Sequence, residues 1–170
     1  MKVVIAGSRD VTDPEVIEWA IEDSGFEVTE VISGCAKGVD TFAMMWAERN
    51  SVPVEQFEPD WTNLTHPNAL IKRNKWGQKY DARAGLRRNE LMAVHAEALI
   101  AIWDGRSTGT KHMIKMAKKR ELPIYVFRTD IGTKSGHIKY ETRAAFYRRL
   151  VKEAKDTEFK IETWQERNLL

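Results

Sequence analysis

The chain has 170 residues, a hydrophobic share of 42%, a charged share of 31% and a formal net charge of +2. These values fit one globular domain that can bury a core without staples, and they exclude a disordered chain. The charge balance by itself implies no polyanion partner, and no apolar run reaches the length of a membrane span. Cys35 is the single cysteine, which excludes an internal disulfide framework and sets the expectation of a reducing cytoplasm.

Residues 2–6 are nearly all apolar and rich in β-branched side chains, the composition of a strand buried on both faces. Gly7-Ser8-Arg9-Asp10 follows as a glycine turn. A helix begins around Asp13, an N-cap before Pro14 at the first helical position. It carries Val16, Trp19, Ala20 and Ile21 as its apolar stripe and stops at Gly25. Residues 28–32 are the second expected strand. Ser33-Gly34-Cys35-Ala36-Lys37-Gly38 leads from it into a helix with Val39, Phe42, Ala43, Trp46 and Ala47 at helical spacing. Residues 52–57 are a third strand. Strands and helices alternating through short connections mean right-handed βαβ units and a parallel sheet.

Residues 60–85 break that rhythm. They hold the aromatics Trp61, Trp76 and Tyr80 and the basic residues Lys72, Arg73, Lys75, Lys79 and Arg83. A connection this long inside a compact domain is either a functional loop or lid or a solvated, partly disordered insertion. Residues 86–96 return to helix, with Leu86, Leu91 or Met92, and His95 near one side. Residues 98–103 are a fourth strand. The helix after it places Met113, Ile114 and Ala117 inside and Lys115, Lys118, Lys119 and Arg120 outside. Residues 124–127 are a fifth strand. A polar connection, an amphipathic helix over 140–155 and a short strand over 159–164 make a C-terminal appendage. The pattern is α/β: a parallel sheet of about five strands with helices on both faces, then a helical appendage that packs on it or on a partner subunit.

In such a sheet ligands sit beyond the carboxyl ends of the strands. Three glycine-bearing loops fall there: Gly7-Ser8-Arg9, Ser33-Gly34 through Gly38 to Asp40, and Asp104-Gly105-Arg106-Ser107-Thr108-Gly109-Thr110. The last opens directly into a helix, whose N–H groups suit a phosphate. Arg87-Arg88-Asn89 starts another helix, where adjacent arginines oppose the dipole unless an anion is bound. Neither a P-loop, a GxGxxG fingerprint nor a GxSxG elbow is present. The four histidines lack metal spacing, so neither a metal nor a cofactor is expected. Asp10, Asp40, Asp60 and Asp104 are the acids near strand ends, with Asp40 read as a helix cap.

Val4-Ile5-Ala6-Gly7-Ser8-Arg9-Asp10, Ser33-Gly34-Cys35-Ala36-Lys37-Gly38-Val39-Asp40, Ala84-Gly85-Leu86-Arg87-Arg88-Asn89-Glu90-Leu91-Met92 and Trp103-Asp104-Gly105-Arg106-Ser107-Thr108-Gly109-Thr110 together resemble the YspA/cpYpsA-related branch of the SLOG superfamily. That superfamily is named for the DNA-processing protein Smf/DprA and the cytokinin-activating LOG enzymes. The likeness runs over residues 1–127 and leaves the 60–85 insertion and the tail uncovered. It implies a Rossmann-like nucleotide-binding domain over 1–128, an extension over 129–170, a nucleotide or nucleotide-derived ligand over the strand ends, and a homodimer. LOG-type phosphoribohydrolases end their PGGxGTxxE loop in an acid. Lys111, His112 and Met113 supply none here, so hydrolysis of that type would rest on Asp10, Asp104 or Glu90.

Three functions follow as expectations. The first is binding of a nucleotide derivative for sensing, sequestration or processing, with Arg9, Arg87 and Arg88 on phosphates and Ser8, Ser33, Gly34, Gly109 and Thr110 donating. The second is cleavage or transfer at an N-glycosidic bond. The third is single-stranded nucleic-acid binding of the DprA kind, with the aromatics and lysines of 60–85 as a stacking platform.

Overall fold

The structure is a computed structural model, and it describes residues 1–130. The expected elements at 140–155 and 159–164 lie outside the described residues.

Seven strands and four helices follow one another as β1 (Lys2–Gly7), α1 (Glu15–Ser24), β2 (Glu30–Ser33), α2 (Val39–Arg49), β3 (Val54–Gln56), β4 (Ile71–Arg73), β5 (Lys79–Asp81), α3 (Ala84–His95), β6 (Ala98–Trp103), α4 (Thr108–Lys119) and β7 (Ile124–Arg128) among the described residues. Five strands form one parallel sheet in the order β3-β2-β1-β6-β7. The chain winds outward from β1 in one direction through α1 and α2. It then returns to the other side of β1 and winds outward again through α4.

Strand alternation sends side chains to opposite faces, and the two cores follow it strictly. Val3, Ile5, Val31, Ile100 and Ile102 face α1 and α2, where Ile17, Ala20, Ala43 and Ala47 meet them. Val4, Ala6, Ile32, Leu99 and Ala101 face α3 and α4, against Met92, Ala93, Met113 and Ala117. Each central strand is therefore apolar on both sides, which is why it reads as a continuous apolar run. The Rossmann-like α/β sheet with helices on both faces is the observed architecture. Among the described residues no helix is long and apolar enough to cross a membrane.

Several local expectations shift. Asp13 stands one residue further out than a cap, although its carboxylate accepts the Glu15 N–H at 2.9 Å. Trp19 is exposed and Ile17 takes the inner position, because the inward stripe of α1 is Val16, Ile17 and Ala20. Leu86, Leu91 and His95 are also exposed, and α3 buries its small and polar residues Ala84, Asn89 and Ala93 along with Met92. The insertion contains an antiparallel hairpin, β4 with β5, in which Lys72 pairs with Tyr80. Its strands are only three residues long, too short for any period to show.

Candidate functional site

The sheet reverses its winding between β1 and β6, and a cleft of about 730 Å³ opens over that point, a size common for small-molecule sites. Arg9 from the end of β1, Arg88 from α3 and Thr110 from α4 all line it, so segments far apart in the chain meet at one rim. Among the described residues the lining carries three arginines, Arg9, Arg88 and Arg106, and three aspartates, Asp10, Asp40 and Asp104. It is a cleft of mixed charge, so its electrostatics depend on which charges are already paired.

Two glycines weld the first two loops together. Gly7 leaves no room for a side chain because the Ile102 carbonyl and Val39 press on its Cα. Gly38 has φ +76°, and a Cβ there would come 2.7 Å from the Arg9 carbonyl oxygen and 2.8 Å from that of Ser8. Close approach is thus needed between protein segments at both positions. Ser8 is buried as well. Its backbone N–H donates to Ile102 at 3.0 Å and its hydroxyl accepts the Asp104 N–H at 3.2 Å, joining β1 to the loop after β6.

Asp40 and Arg88 form the floor. Their charged groups lie 3.8 Å apart, and the Asp40 carboxylate also accepts the Ala36 N–H at 3.3 Å. Burial pushes the Asp40 carboxyl above its ordinary value, while Arg88 and the Ala36 N–H pull it back. Burial likewise pulls the Arg88 guanidinium down against the Asp40 charge. Arg88 further donates to the Gly34 carbonyl and, through Nε, to Asn89 Oδ1 at 3.0 Å. Asp40 is therefore the counterion of Arg88 and not the cap of α2, whose N-cap position is Gly38.

The loop from β6 into α4 is held by its own side chains. Asp104 accepts the Ser107 N–H at 2.7 Å and the Arg106 N–H at 2.9 Å. Those bonds, the Ser107 one foremost, keep its carboxyl below the usual range. Ser107 is the N-cap of α4, and its hydroxyl accepts from both the N–H and the hydroxyl of Thr110. Asn89 donates to the Gly109 carbonyl at 3.1 Å and ties α3 to this turn. Beside Gly109 the space is open.

The insertion supplies one wall. Trp61 and Ala82 line the cleft, and the Trp61 ring rests on Gly85 in the first turn of α3. Beneath it, Asp81 is wholly buried and accepts the Leu70 N–H at 2.7 Å and the Arg83 N–H at 2.9 Å, with the Arg87 guanidinium at 2.5 Å. Burial pushes this carboxyl up, but the two N–H groups and Arg87 outweigh it and hold it at about 2.

This geometry can be set beside known proteins. The sequence profile of the YspA, cpYpsA-related SLOG family (YAcAr) matches residues 1–64. The Gene 61 protein of Mycobacterium phage D29 is 30% identical over 136 residues, covering 74% of this chain and 95% of the phage protein. The chain belongs to the YspA, cpYpsA-related SLOG family. Among solved structures, the DNA processing protein A (DprA) of Streptococcus pneumoniae superposes with a TM-score of 0.55 at 20% identity, over 79% of this chain and 52% of that one. DprA from Helicobacter pylori, in a structure described by its single-stranded DNA binding mode, gives 0.51 at 21% identity, over 80% and 69%. At these identities the likeness is one of fold. This SLOG chain spans about half the length of the pneumococcal protein.

The cleft gathers Gly7, Ser8, Arg9, Asp10, Asp40, Arg88, Asn89, Asp104, Ser107, Gly109 and Thr110 of the residues that the sequence singled out. Six others do not line it, and each has a physical reason. Arg87 points to Asp81 behind the wall. Ser33 is fully buried, with its hydroxyl accepting the Cys35 N–H at 3.2 Å. Gly34 lies under Arg88, and Gly38 is packed on the carbonyls of Ser8 and Arg9. Gly105 turns at φ +75° against Arg128 and Asp130, and Glu90 is exposed outside the cleft. Conversely, Arg106 and Trp61 line the cleft, Arg106 expected at the strand ends only as part of its loop and Trp61 only in the stacking platform of residues 60–85. Arg106 sits inside a loop already singled out. Trp61 had only its aromatic character as a signal, because nothing in the spacing of residues 60–85 says that position 61 folds back onto position 85.

Proposed function

We propose that the cleft binds a nucleotide or nucleotide-derived molecule, with sensing, sequestration or processing of that ligand as its use. The convergence of Arg9, Arg88 and the first turn of α4 on one cleft carries this reading. Arg88 is already matched by Asp40, and Asp104 by backbone N–H groups, so among the described residues Arg9 and Arg106 are the cleft cations left to meet an anion. The N-terminal turn of α4 adds backbone donors beside the open space at Gly109. Asp10 suits ribose hydroxyls, while Asn89, bonded to Arg88 and to the Gly109 carbonyl, holds the turn beside it. Titration calorimetry with AMP, ADP-ribose and NAD tests the proposal: binding in the micromolar to millimolar range is expected, and heat-silent titrations at millimolar ligand would refute it.

Turnover at the base–ribose bond needs a carboxyl near the sugar. Asp104, kept ionised by its loop, can supply the negative charge an oxocarbenium-like centre needs, Glu90 is exposed outside the cleft, and Asp10 and the raised Asp40 are the other acids that line it. Chromatography for free base after incubation with nucleoside monophosphates decides it.

A second reading is favoured by the hairpin. Residues 71–79 carry Lys72, Arg73, Lys75 and Lys79 and no acid, and Trp76 is 73% exposed with the Lys75 ammonium 4.3 Å from its ring centre. Basic side chains beside an open aromatic suit single-stranded nucleic acid, the ligand named for the Helicobacter DprA structure. A gel shift with oligothymidylate that weakens steeply with salt, and about tenfold in Trp76→Ala, is the expected result. Homodimerisation and a cytoplasmic location belong to the same proposal, the first read by sedimentation.

A further inference from the structure

Among the described residues that line the cleft, Trp61 is the only aromatic one, an apolar plate set among arginines and aspartates. Its six-membered ring sits directly on α3: a Cβ built on Gly85 would lie 3.2 Å from Cη2 and 3.9 Å from Cζ3. Glycine inside a helix is less stable than alanine there, and the ring seated on the bare Cα accounts for its use at this position.

Trp61 is fixed from behind. Its backbone N–H donates to the Pro59 carbonyl at 3.0 Å, and its backbone carbonyl accepts the Asp81 N–H at 2.9 Å. The Tyr80 ring meets the indole edge-on, with centres 6.4 Å apart and planes at 69°. Asp81 is clamped in turn by Leu70, Arg83 and Arg87, so the hairpin root, the backbone of Trp61 and the first turns of α3 form one unit. Yet Trp61 as a residue stays 37% exposed and lines the cleft. A held ring with open surface, beside Ala82 and Leu86 and facing charged groups across the cleft, is built to be covered by something flat and apolar with a charged end. Inorganic phosphate or a bare sugar phosphate makes no use of it, whereas a nucleobase does.

We propose that Trp61 is the base platform of the cleft: the nucleobase of the ligand stacks on the indole while its phosphate goes toward Arg9 and the first turn of α4. The proposal rests on the nucleotide reading above and adds the residue that separates nucleoside phosphates from their baseless counterparts. Because every base has a π face, the platform accepts purines and pyrimidines alike.

The whole chain is titrated with AMP, GMP, CMP, UMP and ribose 5-phosphate. The wild type is expected to bind the four nucleotides at least about tenfold more tightly than ribose 5-phosphate. Trp61→Leu should bring the nucleotides down by about tenfold and leave ribose 5-phosphate unchanged. Trp61→Phe, which keeps a stacking face, should hold nucleotide affinity within about threefold while losing the fluorescence quench that AMP causes in the wild type. Unchanged nucleotide affinity in Trp61→Leu would overturn the platform and leave nucleotide binding standing. Equal losses for nucleotides and ribose 5-phosphate would make Trp61 a scaffold residue only, and a full-sized quench in Trp61→Phe would place the base elsewhere. A wild type that binds none of the five at millimolar concentration removes the nucleotide reading and the platform with it.

Discussion

The Arg87 guanidinium lies 2.5 Å from the carboxylate of Asp81, which is wholly buried at the root of the β4–β5 hairpin. The next residue, Arg88, faces Asp40 in the cleft floor. Two adjacent arginines at the start of one helix thus serve different carboxylates, one holding the insertion to α3 and the other holding α3 to the loop after β2. The cationic start of α3, costly beside the helix dipole, is matched from within the protein by Asp81 and Asp40.

Asp81→Asn leaves Arg87 without its counter-charge and should lower the melting temperature at neutral pH and speed proteolysis within the insertion. The sign with pH follows from the depressed carboxyl. Folded Asp81 sits at about 2, below the about 3.9 of an unfolded aspartate. Its contribution is therefore complete above about pH 4 and is lost as pH falls toward 2. The melting-temperature gap between wild type and Asp81→Asn should stay constant from pH 5 upward and narrow below pH 4. A gap that persists at pH 2 would contradict the ion pair.

Arg88→Leu removes the cation facing a buried carboxylate, a change that costs about 3 kcal/mol in comparable pairs. Asp40 is raised in the folded state, so its favourable protonated form is available below the unfolded value and stability falls as pH rises through the folded one. Without Arg88 the folded value climbs further. Urea melts should show a larger loss at pH 7 than at pH 4, and an equal loss at both would argue against the pairing.

Gly38→Ala and Gly109→Ala should differ sharply although both lie in glycine-bearing loops at strand ends. At Gly38 the backbone is at φ +76° and a Cβ meets two carbonyl oxygens at 2.7 and 2.8 Å, so the loops must part at a cost of about 2 kcal/mol or more. At Gly109 the space is open and alanine suits the helix better, by up to about 1 kcal/mol. Chemical denaturation of the two variants measures the contrast directly.

Arg9→Ala tests the ligand cation apart from the scaffold. Arg9 is exposed, so stability should stay within about 0.5 kcal/mol of wild type. Affinity for AMP should fall about tenfold, the size of one charge-assisted hydrogen bond. Calorimetry showing full affinity in Arg9→Ala would move the phosphate elsewhere.

The alternation of apolar strands with short-looped helices was legible in the sequence, because Val3–Ala6 of β1 and Ala98–Ile102 of β6 are buried on both faces and form continuous apolar runs. The loops at their ends were legible too, since the order of elements alone sends Ser8 and Asp104 to the same edge of the sheet. The hairpin was not, because three-residue strands carry no periodic signal.

By itself the sequence determined a parallel, two-faced sheet and the rim on which polar loops gather. Only the tertiary structure decided which of those polar groups remain available. Consecutive residues of a helix point about 100° apart, so Arg87 turns into the scaffold and Arg88 into the cleft. Trp61 reaches Gly85, and Arg88 reaches Asp40, across long stretches of chain. Such pairings are set by where whole elements pack, and no local pattern of residue types encodes them.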